Sequence, residues 1–173
     1  VNGPEIPIMD GSAMDFVNGI LGAGLLEQGT DREYFEIEEP ISFRAEVTGT
    51  ELLALPGDKF EVTAMIDFNS QILGHQYASL QNIDDYATQI APCRTFVFVR
   101  ELEQLFDQNL IKGGDLDNAV VIADRLMDQD ELDRLAKKLG KQSIKDEKTG
   151  IQNTTSLRLE KEPARHKLLG VLG

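Results

Sequence analysis

The spacing of apolar residues changes along the chain, and each change predicts an element. IMDGSAMDFVNGILGAGLLEQG, residues 8–29, puts Phe16, Val17, Ile20 and Leu21 on one stripe. That spacing predicts a helix capped by Asp10 or Ser12 and ended by Gly29. Each glycine inside it costs about 1 kcal/mol against alanine, so close packing against a neighbour is the expected reason for them. From Tyr34 to Asp67 the pattern alternates, and YFEIEEPISFRAEV, ELLALP and KFEVTAMIDF predict strands broken at Gly49-Thr50 and Pro56-Gly57.

Further along, NIDDYATQIAP predicts a short helix capped by Asn82 and stopped at Pro92. RTFVFV is strand-like. RELEQLFDQN is helical with Val99, Leu102, Leu105 and Phe106 inward, KGGDLD supplies a turn, and NAVVIAD is a strand again. The result is a compact strand–helix–strand unit. DQDELDRLAKKLG is the plainest helix: Leu132, Leu135, Ala136 and Leu139 keep helical spacing, and Asp128 with Glu131 fits a capping box. Asp130–Arg134 and Asp133–Lys137 add i, i+4 pairs. KQSIKDEKTG predicts a polar loop and IQNTTSLRL a strand, and Pro163 lies in the first turn of a last helix. The fold class is α+β, helices and strands in two layers.

Composition narrows the function. Of 173 residues, 41% are hydrophobic and 27% charged, enough for a core in one ordinary domain. A net charge of −13 repels a phosphate backbone, so nucleic acid is not expected as a partner. Arg158, Lys161, Arg165 and Lys167 form a basic concentration that suits a small anionic ligand. Cys93 is the single cysteine, which forms no internal disulfide and fits a cytoplasmic protein. No stretch has the length of a membrane span or the layout of a signal peptide. The chain begins at Val1, which suggests a processed protein or a fragment.

Candidate chemistry is sparse. His75 and His166 are the only histidines, and packing or a surface position is the ordinary role of a lone histidine. His75 lies in a predicted loop. A second ligand for His166 one helical turn on falls at Gly170, which has no donor atom, so spacing alone supports no metal site. The glycine pair of KGGDLDNAVV precedes a strand and lacks phosphate-loop spacing. No GxSxG, HExxH or Cys–His arrangement occurs.

Taken together, PEIPIMDGSAMDFV, IDFN, RTFVFVRELEQLFDQNLIKGGDLDNAVVI and EPARHKLL, in this order, resemble the UDP-3-O-acyl-N-acetylglucosamine deacetylases. These are the zinc hydrolases that commit bacteria to lipid A synthesis. EPARHKLL, preceded by DELDRLAKKLG, is similar to the form fused to a hydroxyacyl-carrier-protein dehydratase. The resemblance implies one half of a two-domain sandwich, each domain a layer of helices on a sheet. Residues 1–30 would be the last helix of an otherwise absent N-terminal domain and 31–40 a linker. Residues 41–173 would be a C-terminal domain incomplete at its end, with an insert at about 97–124 forming a passage for the acyl chain.

The resemblance further implies that Thr95 hydrogen-bonds the tetrahedral intermediate and that Phe68, Asn69, Phe96 and Lys167 contact the UDP-3-O-acyl-glucosamine substrate. Val97, Leu105, Gly113, Gly114, Ala119 and Val121 would line the acyl passage, where burial stabilises by about 0.8 kcal/mol per methylene. His166 would be a zinc ligand. The family's second ligand in this helix is an aspartate, and Gly170 stands there instead. The other zinc histidine and the base glutamate would precede Val1, and a further histidine would follow Gly173. The expectation is a zinc-dependent amide hydrolase as the parent protein, with this chain inactive by itself. The alternative is a non-catalytic domain that binds acyl chain or UDP-sugar, or serves interaction, without a metal.

Overall fold

The computed structural model describes residues 2–3, 6–108, 118–123, 125, 127–138 and 156–172. The turn expected at KGGDLD, the loop at 141–150 and most of the strand expected at 151–159 lie outside these, as does the side chain of Phe106. Four consecutive strands are followed by helices mixed with two short strands, which is consistent with an α+β chain. They are α1 (Met14–Ala23), β1 (Ile41–Arg44), β2 (Glu51–Ala54), β3 (Val62–Ile66), β4 (Gln76–Leu80), α2 (Tyr86–Gln89), β5 (Phe96–Phe98), α3 (Val99–Asp107), β6 (Val120–Ile122), α4 (Gln129–Lys138) and α5 (Glu162–Leu172). Among the described residues the strands form three two-stranded ladders: β1–β2 and β3–β4 antiparallel, β5–β6 parallel.

The main core forms where α5 packs on β3–β4 and meets β5–β6. Leu80, Phe98, Ile122 and Leu168 are its most enclosed large apolar side chains, each stabilising by about 2 kcal/mol relative to an exposed position. A second, smaller core joins Leu102 of α3, Val121 of β6 and Leu132, Leu135 and Ala136 of α4. The capping box of α4 forms as its sequence predicts: the Glu131 N–H donates to the Asp128 carboxylate at 2.8 Å, and the Asp128 N–H donates to Glu131 at 3.1 Å. Its expected ion pairs do not form. Arg134 donates to the Asp130 carbonyl oxygen instead, and Asp133 accepts from Gln129.

Three other expectations need correction. α1 ends at Gly24, not Gly29, because Gly24 takes a φ of 82° and donates to the carbonyls of Ile20 and Leu21. Its stripe is only half-buried at Phe16 and Val17 and exposed at Ile20 and Leu21. A Cβ at Gly19 or Gly22 would meet nothing within 4 Å among the described residues, so the expected close packing is not seen there. Residues 34–40 form no strand: Pro40 has no N–H for a ladder, the acidic run is solvated, and Tyr34 and Phe35 are exposed. β4 begins directly after His75, which was expected in a loop. Ala78 and Leu80 point into the core, but the polar Gln76 shares their face and Tyr77 and Ser79 alternate with them, which makes a faint pattern.

Candidate functional site

The site residues gather where α5 meets the segment from Cys93 to Phe98. α5 opens with Glu162 and Pro163, both fully enclosed, after Lys161 at a φ of 57°. Glu162 and His166 lie one helical turn apart on one face. Arg94, in the facing segment, is 2% exposed and donates to the Glu162 carboxylate through its backbone N–H at 2.8 Å, its Nε at 2.9 Å and its Nη2 at 3.2 Å. The Arg158 N–H adds a fourth bond at 2.8 Å. Burial pushes the Glu162 carboxyl up, but the bonds from Arg94 and Arg158 outweigh it and hold it below the usual carboxylate range.

Nδ1 of His166 lies 3.2 Å from the Cys93 carbonyl oxygen. A carbonyl only accepts, so Nδ1 carries the proton in this bond and Nε2 keeps the lone pair when the ring is neutral. Burial, reinforced by Lys167, lowers the His166 pKa against the opposing pull of the Cys93 bond and Glu162. The ring therefore stays neutral to lower pH than a free histidine. An imidazole bonded in this way has one ring nitrogen engaged with the backbone and the other left with its lone pair.

Phe96 stands edge-on to the His166 ring at 6.3 Å between centroids. Phe68, Phe96 and Phe98 form an aromatic cluster with centroids 5.4 to 6.2 Å apart. Lys167 is exposed with Nζ 5.7 Å from the Phe68 centroid and 5.5 Å from Phe96. On the far side the Arg100 guanidinium lies 4.5 Å from the Phe98 ring. Asn69 is exposed on the β3–β4 connection at a φ of 53°, its N–H bonded to Asp67. Thr95 is half-buried, and its backbone links two segments: its N–H donates to the Gly11 carbonyl at 2.7 Å and its carbonyl accepts from Val120 at 2.7 Å. His166, Lys167, Thr95, Phe96, Phe68 and Asn69 thus share one region.

The remaining residues singled out in the sequence are spread more widely. Val97 and Val121 are ladder partners that pack toward α4, Ala119 is buried just before β6, and Leu105 is half-buried on α3. Gly113 and Gly114 lie outside the described residues. His75 precedes β4 and pairs with Asp67 at 2.9 Å on the surface. Three members of the basic concentration are engaged with the protein: Arg158 pairs with Asp10 at 2.7 Å, Arg165 bonds the carbonyls of Glu160 and Gln89, and Lys161 lies over Tyr77.

The sequence reading missed the Glu162–Arg94 pair and the Cys93 carbonyl. The only local signal was Glu162 four residues before His166. For a metal, one imidazole is well prepared and the rest is not: among the described residues no group of three His, Cys, Asp or Glu side chains is arranged to hold an ion. Gly170 is exposed one turn from His166, and among the described residues nothing lies within 4 Å of where its Cβ would be.

Residues 1–138 match the family of UDP-3-O-acyl N-acetylglycosamine deacetylase, LpxC. The chain belongs to the LpxC family. It is 46% identical over its whole length to the bifunctional enzyme LpxC/FabZ of Porphyromonas gingivalis, covering 37% of that protein. It is 42% identical to the same-named enzyme of Bacteroides thetaiotaomicron, covering 38%. The UDP-3-O-acyl-N-acetylglucosamine deacetylase of Nitratidesulfovibrio vulgaris is 34% identical, with 48% covered. The chain therefore spans less than half the length of these LpxC relatives. Among the described residues no helix is long and apolar enough to cross a membrane.

Proposed function

We propose that this LpxC chain is part of a zinc-dependent deacetylase that hydrolyses the acetamide of UDP-3-O-acyl-N-acetylglucosamine in lipid A biosynthesis. The observation that carries the reading is the His166 imidazole, its Nδ1 bonded to the Cys93 carbonyl and its ring beside Phe96. Zinc is the expected cofactor of the whole protein, with His166 as one donor. The described residues supply no complete donor set, so the other donors of such a site would come from outside them. Its own contributions are substrate contacts. The Thr95 hydroxyl hydrogen-bonds the tetrahedral intermediate, Phe96 walls the site, Lys167 meets the anionic nucleotide, and Phe68 and Asn69 meet the uridine. Val97, Leu105, Gly113, Gly114, Ala119 and Val121 belong to the acyl passage.

The same reading makes residues 1–30 the end of a preceding domain, 31–40 a linker and 41–173 one half of a two-domain sandwich. It implies a fused dehydratase and a cytoplasmic location. The fusion in the LpxC/FabZ relatives and the lone buried cysteine support these. The test is deacetylation of the UDP-sugar by the isolated chain with added zinc. No turnover is expected. Turnover that a chelator abolishes, in protein free of host enzyme, overturns the assignment of the ligands. Gly170 favours a second reading, a non-catalytic UDP-sugar or acyl-binding domain. Calorimetric binding of UDP that is unaffected by zinc, in a full-length protein devoid of activity, would select it.

A further inference from the structure

We propose that the buried Arg94–Glu162 pair is a positioning device, which clamps the Cys93–Arg94 peptide so that its carbonyl holds the His166 ring with Nδ1 protonated and Nε2 presenting its lone pair. The inference deepens the reading of His166 as a ligand and rests on it for its functional meaning, but its geometry stands by itself.

The Cys93 carbonyl and the Arg94 N–H are the two ends of one peptide group. The N–H donates to Glu162 at 2.8 Å, and Nδ1 of His166 lies 3.2 Å from the carbonyl oxygen. A trans peptide is planar, with its N–H and C=O pointing in opposite directions. This one lies along α5 and is fastened at both ends to residues one helical turn apart. Fixing its Glu162 end therefore fixes the orientation of the oxygen that meets His166. The Arg94 side chain completes the clamp with two more bonds to the same carboxylate, and its Nη2 also donates to the Ser156 carbonyl at 3.1 Å.

Energetics point the same way. Both side chains are at most 2% exposed. Burying a charge pair costs desolvation that its attraction barely repays, so apolar residues of like volume generally serve stability as well or better. An apolar pair has no acceptor for the Arg94 N–H and cannot set the peptide plane. Thr95 and Phe96 follow directly in the chain, so the same clamp sets their position against α5.

The ¹⁵N-labelled full chain provides the test, because it contains only two histidines. Long-range ¹H–¹⁵N spectra at about pH 8, above the ordinary histidine range, report which ring nitrogen carries the proton. His166 is expected as the Nδ1-protonated tautomer. The Arg94→Met/Glu162→Met variant is expected to lose that preference, while Arg94→Met/Glu162→Gln keeps it, because the Gln oxygen still accepts the peptide N–H. His75 should be unchanged in both. An Nε2-protonated His166 in the unaltered chain overturns the proposal, as does a Met/Met variant that keeps the tautomer or a Met/Gln variant that loses it. Collapse of the folded amide spectrum in the Met/Met variant also overturns it, since the pair would then hold the fold and not the ring. No zinc or substrate is present, so a full-length protein without deacetylase activity would defeat the functional reading and leave this result intact.

Discussion

The backbone oxygen of Asn118 lies 1.7 Å from where a Cβ on Gly11 would sit. Gly11 also takes a φ of +81°, and its own carbonyl accepts the Thr95 N–H. The glycine of PIMDGSA thus lets the N-terminal segment cross the start of β6 at backbone distance, beside Thr95. A side chain there meets main chain, which cannot swing away, and adds the strain of a left-handed conformation. Gly11→Ala should cost about 2 kcal/mol or more, lowering Tm by roughly 5 °C. Gly19→Ala, inside α1 with open space around it, should instead stabilise by up to about 1 kcal/mol. Thermal unfolding of the two variants checks this; equal shifts would remove the crossing as an explanation of Gly11.

The α4 capping box supports a similar contrast. Asp128 and Glu131 each accept the other's backbone N–H, and the Arg125 guanidinium pairs with Glu131 and lowers its carboxyl to about 2. Asp128→Ala removes the N-cap acceptor and should cost about 1 kcal/mol. Asp128→Ser should restore most of it. Urea midpoints that do not separate Ala from Ser would show that α4 is held by Leu132, Leu135 and Ala136 alone.

Acid should loosen the clamp on α5. The Glu162 carboxyl is held below its ordinary value, so in acid the unfolded chain binds the proton that the folded chain refuses. The stabilisation is complete above the unfolded glutamate range, about pH 4.5, and is lost as pH falls through the lower folded value. Asp10 acts in the same direction: burial raises its carboxyl, but bonds from Ser12 and Arg158 lower it further. Stability measured in urea across acid pH should therefore fall less steeply for Arg94→Met/Glu162→Met than for the unaltered chain. Identical slopes would mean that other carboxylates carry the acid transition.

These residues also show what could be read from the chain alone. α4 was readable because its cap, its spacing and its ends are all local. α3 and the strands flanking it were readable for the same reason. The Arg94–Glu162 pair spans 68 residues of sequence, and beyond its place four residues before His166 nothing local distinguishes Glu162 from the other acidic side chains. β4 escaped notice because its inward face opens with the polar Gln76 and its outer face carries Tyr77 and Ser79, leaving only Ala78 and Leu80 to mark the core. For the candidate site, the histidine, threonine, phenylalanines and lysine are candidates only through the family resemblance. The bond that orients His166 uses a backbone carbonyl, which every residue possesses, so composition carried no trace of it.

Cys93 offers a probe of that bond, because its carbonyl is the oxygen against His166. Its side chain is 1% exposed, and burial together with the Glu162 charge pushes the thiol up to about 12. At mildly alkaline pH it is therefore a thiol rather than the reactive thiolate, and it is shielded from reagents. Folded protein should resist a disulfide reagent, with labelling limited by opening of the segment rather than by thiol chemistry. The rate should rise in urea along the unfolding curve, and it should rise in native buffer for the Arg94→Met/Glu162→Met variant if the clamp holds this segment on α5. Labelling of the unaltered chain at the rate of a free thiol would mean that Cys93 is exposed in solution, and with it the carbonyl that sets the His166 ring.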